Sequence, residues 1–406
     1  MTFLIKQFAD YYRNPITPLT PPRQFESREF AFFWFDREGV FRHTNFVNPE
    51  ELVEFISKEG PAHIFHSAAY YDTPDAPQMP LKGWRGADLV FDIDADHFDL
   101  ACQKQHDSWS CLDCGHRGYG HRPEQCIKCN STRLKAFKWM CEECLSHSKA
   151  EAIKIIENFL IPDMGISKKN IMVVFSGHRG YHIHSIAPEL RILGSQERRE
   201  IVDYISGTGI EYRYHGFVEK SYGVPKGPDS KTPGWEGKIA EGIQRLFQNP
   251  QQLSHIPGLR TNQIRLLKED AQAIYKQLTE TPPRYITPKG VGQKAWYTIT
   301  QYVVESLAAV VDEPVTTDIH RLIRLPGSLH GKTGFQVKKL EFSELEDFDP
   351  FKDAQVFSGT TTVKVLDAPA FTLNGKQYPP MRAIKKELPL SAAMLLLCKG
   401  VAELAN

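Results

Sequence analysis

Ala87-Asp88-Leu89-Val90-Phe91-Asp92-Ile93-Asp94-Ala95-Asp96 is an apolar run that ends in alternating carboxylates. In an extended chain residues i and i+2 project to one face, so Asp92 and Asp94 point together while Leu89, Phe91 and Ile93 point to the other. Two carboxylates side by side at the end of a hydrophobic strand repel one another. A divalent cation between them relieves the repulsion, and phosphoryl-transfer enzymes hold Mg2+ or Mn2+ in this way. An acidic turn capping a helix uses the same residue types, so the stretch defines a candidate site and needs partners elsewhere in the chain.

Around this stretch the chain has the composition of an ordinary folded protein. Its 406 residues suggest two or three domains, and 41% hydrophobic with 24% charged residues is enough to build a sizeable core. Lys plus Arg number 49 and Asp plus Glu number 49, so net charge says nothing about partners and local charge must decide. The start, Met1 to Asn14, turns polar after five apolar residues, and no run approaches the roughly 20 apolar residues of a membrane span. The expectation is an intracellular, cytoplasmic protein with no membrane partner.

Seven of the eight cysteines fall between Cys102 and Cys144, six of them in Cys-x-x-Cys pairs, which suits metal ligation in a reducing compartment better than disulfides. Cys398 stands apart as a core thiol. Cys111, Cys114, Cys126 and Cys129 have the spacing of a zinc ribbon, in which four thiolates complete a tetrahedron. Cys141 and Cys144 lack a partner pair unless Cys102 and His106 supply it, which gives a second four-ligand set. His97, His116 and His121 are substitutes for His106, and spacing alone does not decide the pairing. One or two structural zinc ions are expected.

The wider organisation is mixed α/β. Residues 1–96 carry strand-like runs over 29–35 and 87–93 and read as one α/β unit; 97–147 is poor in large aliphatics and needs a metal to organise it. Apolar spacing predicts a helix over 148–160, stopped by Pro162, and a buried strand over 171–175. Residues 188–300 read as a helical insertion, with helices over 195–205, 237–247 and 262–278 and a Gly/Pro-rich linker over 222–234. Strand-like signals return over 311–342 and 360–366, and 391–404 reads as an apolar helix. The expected layout is a core from 1–96, 148–187 and 301–406, a zinc-binding insertion over 97–147 and a helical insertion over 188–300.

Two further segments carry charge of one sign. Phe175-Ser176-Gly177-His178-Arg179-Gly180-Tyr181-His182-Ile183-His184 follows the predicted strand and contains no carboxylate. Its glycines let the backbone approach a ligand, and Ser176, Arg179 and His182 offer a hydroxyl, a planar donor and an imidazole to phosphate oxygens. From Ile319 to Lys339 the chain holds five Lys or Arg, two His and no carboxylate, interleaved with Gly, Ser and Thr. That composition suits a phosphate-facing surface.

Together these stretches resemble the small, catalytic subunit of archaeal and eukaryotic-type DNA primase. Val90 to Asp96, Ser176 to His182 and Arg321 to Gly334 match in the family's order, with a cysteine-rich knuckle between the first two. Arg28-Glu29-Phe30 and Asp347-Phe348-Asp349-Pro350-Phe351 extend the likeness over most of the chain. The resemblance implies a primase-polymerase fold in which two Mg2+ or Mn2+ ions on three aspartates catalyse nucleotidyl transfer. Asp92 and Asp94 take the first two places and Asp312 the third, with Asp318 as runner-up. Ser176, Arg179 and His182 then resemble triphosphate holders, completed by Arg324 and His330, with contributions from Lys332, His178 and Arg42.

By the same resemblance, the knuckle uses Cys102, His106, Cys141 and Cys144, and the other two cysteine pairs are an insertion. The implied activity is synthesis of short RNA, and also DNA, primers on a single-stranded DNA template from nucleoside triphosphates, within a primosome. The implied partner is a large subunit that carries an iron-sulfur cluster. A gap-filling repair polymerase of the same superfamily and a non-catalytic zinc-ribbon nucleic-acid-binding protein are the alternatives.

Overall fold

The acidic stretch forms the strand Leu89–Asp94 at the edge of a four-stranded antiparallel sheet, next to Gly180–Ser185, then Ile171–Phe175, then Lys338–Leu340. Leu89, Val90, Phe91 and Ile93 are buried, whereas Asp92 and Asp94 keep partial exposure. The register sets His182 opposite Asp92 and Gly180 opposite Asp94. A second antiparallel sheet runs Leu322–Arg324, His63–Ser67, Phe30–Phe33, Phe41–Thr44. Its core joins Phe30, Phe32 and Ile64 to Phe8 and Tyr12 of the helix Thr2–Arg13 and to Leu52 and Ile56 of Pro49–Glu59.

This computed structural model describes residues 2–211, 214–217 and 226–405. It divides into two compact units, one of residues 1–153, 166–199 and 311–406 and the other of 154–165 and 200–310. The second is helical, built from Trp235–Gln248, Thr261–Glu269, Ala271–Leu278 and Lys294–Leu307 around Ile243, Ile274, Trp296 and Ile299. Its extent differs from the expected 188–300. Lys294–Leu307 is one continuous helix whose apolar face, including Trp296, Ile299 and Val303, is buried, so a boundary at 300 cuts through it. The helix expected over 262–278 breaks at Asp270. Of the expected linker, residues 222–225 lie outside the described residues.

Buried charges fix the start of the acidic strand. Arg28 is fully buried, donates to Asp88 at 2.7 Å and lies 3.6 Å over the Tyr70 ring, while Tyr70 donates to the same carboxylate. Arg198 donates to the carbonyl oxygens of Ala87 and Asp88. The helix expected over 148–160 starts earlier, as Glu142–Ile155 followed by a π-helical turn Ile156–Leu160. Within 311–342 only Leu322–Arg324 and Lys338–Leu340 are strands, and Glu313–Thr317 is a short helix. The C-terminal helix, Leu390–Cys398, is shorter than expected. Gly400 turns the chain at φ +70°, and Ala402–Leu404 joins the sheet of Thr360–Ala368 and Met381–Pro389. Among the described residues no helix is long and apolar enough to cross a membrane.

Candidate active site

Asp92 and Asp94 line a cavity of 540 Å³ with Asp96, Ser176, His178, His182, Arg324, His330 and Lys332. Acidic strand, first basic loop and second basic loop therefore meet in one place. Asp312 lies beside them: its backbone N–H donates to the Asp92 carbonyl at 3.0 Å, and its carboxylate is 3.6 Å from His97 Nε2. Burial pushes the Asp92 carboxyl up to about 7, and the like charges of Asp94 and Asp312 add to the shift. Burial also raises Asp94, against the pull of Arg179 and His97. Asp92 and Asp94 resist ionisation, and with Asp312 beside them they offer the oxygen donors that a divalent cation would satisfy.

The opposite wall is basic. Arg324 lies 2.8 Å from His63 Nδ1 and 4.9 Å over the Phe65 ring, and burial lowers it to about 10, so it stays charged. His178 and His330 stack at 5.2 Å, and His330 meets His63 edge-on at 4.8 Å. Burial holds His63, His178, His182 and His330 well below the usual imidazole range. They are neutral hydrogen-bonding groups, and the positive charge of the wall resides on Arg324 and the lysines.

Two members of this wall have no local signal in the sequence. His63 belongs to a plain strand, and Lys399 follows an apolar helix. Lys399 nevertheless lines the cavity, donates at 2.7 Å to His178 Nε2 and to the Lys138 carbonyl, and is lowered by burial to about 7. Lys135 and Lys138, from the cysteine-rich segment, also line the cavity.

Some expected residues face elsewhere. Arg179 is 1% exposed and does not line the cavity; it pairs with Asp107 at 2.7 Å and with Asp96, and donates to the Trp139 carbonyl. Arg42 pairs with the buried Glu29 at 3.1 Å, away from the lining residues. Asp318 caps its own turn by accepting from the His320 N–H. The glycines of the first loop serve packing: Gly177, at φ +81°, leaves no room for a Cβ beside His330, and Gly180 abuts the Ile93 carbonyl.

The cysteines form two sets, Cys111/Cys114/Cys126/Cys129 and Cys102/His106/Cys141/Cys144, each with its ligand atoms within 4.8 Å of one another. Sγ pairs stand 3.6 Å (Cys111–Cys129), 3.7 Å (Cys114–Cys126) and 3.6 Å (Cys102–Cys144) apart, and His106 Nε2 is 3.5 Å from Cys144 Sγ. These separations far exceed a disulfide bond. They match the edges of a tetrahedron about an ion with ligands at about 2.0–2.3 Å, namely about 3.8 Å for S to S and about 3.5 Å for S to N. Hydrogen bonds from Cys144 lower the Cys141 thiol against burial, while the hydrogen bond with Cys141 and burial raise the Cys144 thiol and burial raises that of Cys102. The other candidate histidines lie elsewhere: His97 beside Asp312, His116 against Trp109, His121 near Asp99.

Comparison with known proteins decides the family. The chain is 36% identical to the DNA primase small subunit PriS of Methanothrix thermoacetophila, over 99% of this chain and 98% of the relative. This chain belongs to the DNA primase small-subunit family. It is 35% identical to the corresponding protein of Methanosarcina acetivorans and 29% to that of Nitrosopumilus maritimus, again over 99% of the chain. The family model described as DNA primase small subunit matches residues 140–341, which include both basic loops and Asp312. The chain is thus a DNA primase, a nucleotidyltransferase with a catalytic role in DNA replication, which sets aside the reading as a non-catalytic binding protein. In this primase the cavity sets the carboxylates of Asp92, Asp94 and Asp96 against a basic wall.

Proposed function

We propose that the chain copies single-stranded DNA into short primers from nucleoside triphosphates, with Asp92, Asp94 and Asp312 as the residues that hold Mg2+ or Mn2+. The supporting observation is that Asp92 and Asp94 share one cavity with Arg324 and Lys332, while the Asp312 backbone N–H donates to the Asp92 carbonyl. When bound, the ions supply Lewis acidity toward the primer 3′-hydroxyl and the departing pyrophosphate.

The side chains of this chain do the remaining work. Arg324 and Lys332 neutralise the triphosphate, and Ser176, His178, His182 and His330 donate hydrogen bonds to it as neutral groups. Lys399 fixes the orientation of His178 and adds a cation beside it. Arg179 acts as a positioning residue: it ties Asp96, at the end of the acidic strand, to Asp107, which also accepts from His106 at 2.8 Å and from the Trp139 N–H. A vacated Arg179 would leave the buried Asp107 carboxylate and the half-buried Asp96 carboxylate without their cation.

The tetrahedral spacings support structural zinc in both cysteine sets, two ions per chain. The catalytic core is assigned to 1–96, 148–187 and 301–406, less residues 154–165 and 301–310, which belong to the helical unit. A large subunit carrying an iron-sulfur cluster is the proposed partner, and the cytoplasm the proposed compartment. Incubation with unprimed single-stranded DNA and either ribo- or deoxynucleotides tests the reading. De novo products are expected; products only from a pre-annealed primer would instead support a gap-filling polymerase.

A further inference from the structure

Three strands of the cysteine-rich segment pair in the order Arg117–Tyr119, Ser108–Cys111, Leu134–Phe137. The register aligns Arg117, Ser110 and Lys135 in one row and Tyr119, Ser108 and Phe137 in the next but one. Aligned residues share a face, so all six project to the same side. The opposite side holds Trp109, Cys111 and Leu134, packed with Cys126, and Trp109 lies over Gly118, where a Cβ would overlap its ring.

The outward face is therefore a basic row beside an aromatic row, with serines on the central strand leaving a shallow trough. Tyr119 is 81% exposed, and among the described residues neither Arg117 nor Lys135 has a carboxylate within ion-pair distance. Free cations on one row, and on the other the exposed Tyr119 ring with the half-buried Phe137 ring stacked on Trp139 at 6.0 Å, match the two chemistries of a nucleic-acid strand, phosphate and base. The face also runs into the active site: Lys135 and Phe137 line the cavity that holds Asp92 and Asp94.

We propose that this face is a track for single-stranded nucleic acid leading to or from the catalytic cavity, with bases on Tyr119 and Phe137 and phosphates on Arg117 and Lys135. The inference rests on reading that cavity as the centre of nucleotidyl transfer. Template DNA and nascent primer share this chemistry, and the sheet face has no donor set that separates them.

The test is fluorescence anisotropy of labelled oligodeoxythymidine and oligouridine of about 20 nucleotides on the full chain, without nucleotide or added Mg2+ or Mn2+. Tyr119→Ala should weaken binding of at least one oligonucleotide by about fivefold or more, with Tyr119→Trp retaining it, as loss of one stack requires. Arg117→Ala should reduce the slope of log affinity against log salt by about 0.7. A larger loss for oligodeoxythymidine identifies the template, and a larger loss for oligouridine the primer. Wild-type affinity and salt slope in both variants, with cysteine-bound metal intact, would overturn the proposal. Because binding is read without catalysis, failure here is distinguishable from failure of the carboxylate reading, which only the synthesis assay addresses.

Discussion

Replacing Asp92 by asparagine should make the protein more stable when Mg2+ and Mn2+ are absent, although it removes a residue from the catalytic cavity. The amide has the same shape and cannot ionise. Burial first, then Asp94 and Asp312, push the Asp92 carboxyl from 3.8 up to about 7. The unfolded chain ionises this group first, so the folded state is relatively favoured below about pH 4. That advantage is lost as pH rises toward about 7, above which the full penalty remains. A shift of roughly 3 units corresponds to roughly 4 kcal/mol, and the 20% side-chain exposure lets solvent relieve part of it, leaving roughly 2–4 kcal/mol. With an unfolding entropy near 2.1 cal/mol/K per residue, Tm should rise by about 2–5 °C at about pH 8. The gain should shrink at about pH 5. Thermal scans of both proteins at the two pH values, with and without millimolar Mg2+, provide the assay. Added Mg2+ should raise the wild-type Tm more than that of Asp92→Asn. An Asp92→Asn protein no more stable than wild type at about pH 8 would refute the account of the carboxylate cluster.

Arg179→Ala leaves Asp107 and Asp96 without their buried partner and should cost about 3–5 kcal/mol, read as a Tm loss of roughly 4–6 °C in a thermal scan. Because Asp107 also holds His106, the same variant should release metal from the Cys102 set more readily to a chelator. Lys399→Met should raise the KM for nucleoside triphosphate by roughly tenfold or more at about pH 7 while leaving Tm near wild type, measured by steady-state incorporation. Metal analysis should find two zinc ions per wild-type chain and one in Cys126→Ser; one or fewer in wild type would remove the second site.

The parts of the site that could be read from the sequence are those whose chemistry is local. Alternation in a strand sets Asp92 and Asp94 on one face, and Cys-x-x-Cys spacing identifies the cysteine sets, because both patterns are fixed by a few consecutive backbone units. Asp312 is visible only by resemblance: its place depends on a backbone hydrogen bond to Asp92 across more than half the chain. Lys399 and His63 carry no signal because their roles come from neighbours distant in sequence. Arg179 looks like a phosphate ligand in a run without carboxylates, yet from the turn ahead of the strand Gly180–Ser185 it is buried against Asp107 of the cysteine-rich segment. The tail fails as one helix for a local reason, since Gly400 adopts a left-handed turn that sends Ala402–Leu404 back as a strand.

The central claim is that Asp312 completes the carboxylate set with Asp92 and Asp94. Synthesis on unprimed single-stranded DNA with Mg2+ or Mn2+, comparing wild type with Asp312→Ala, tests it most directly. Wild type should release pyrophosphate and accumulate short products, and Asp312→Ala should yield none, with its Tm not lowered and its cysteine-bound metal unchanged. Primer synthesis by Asp312→Ala at the wild-type rate would contradict it.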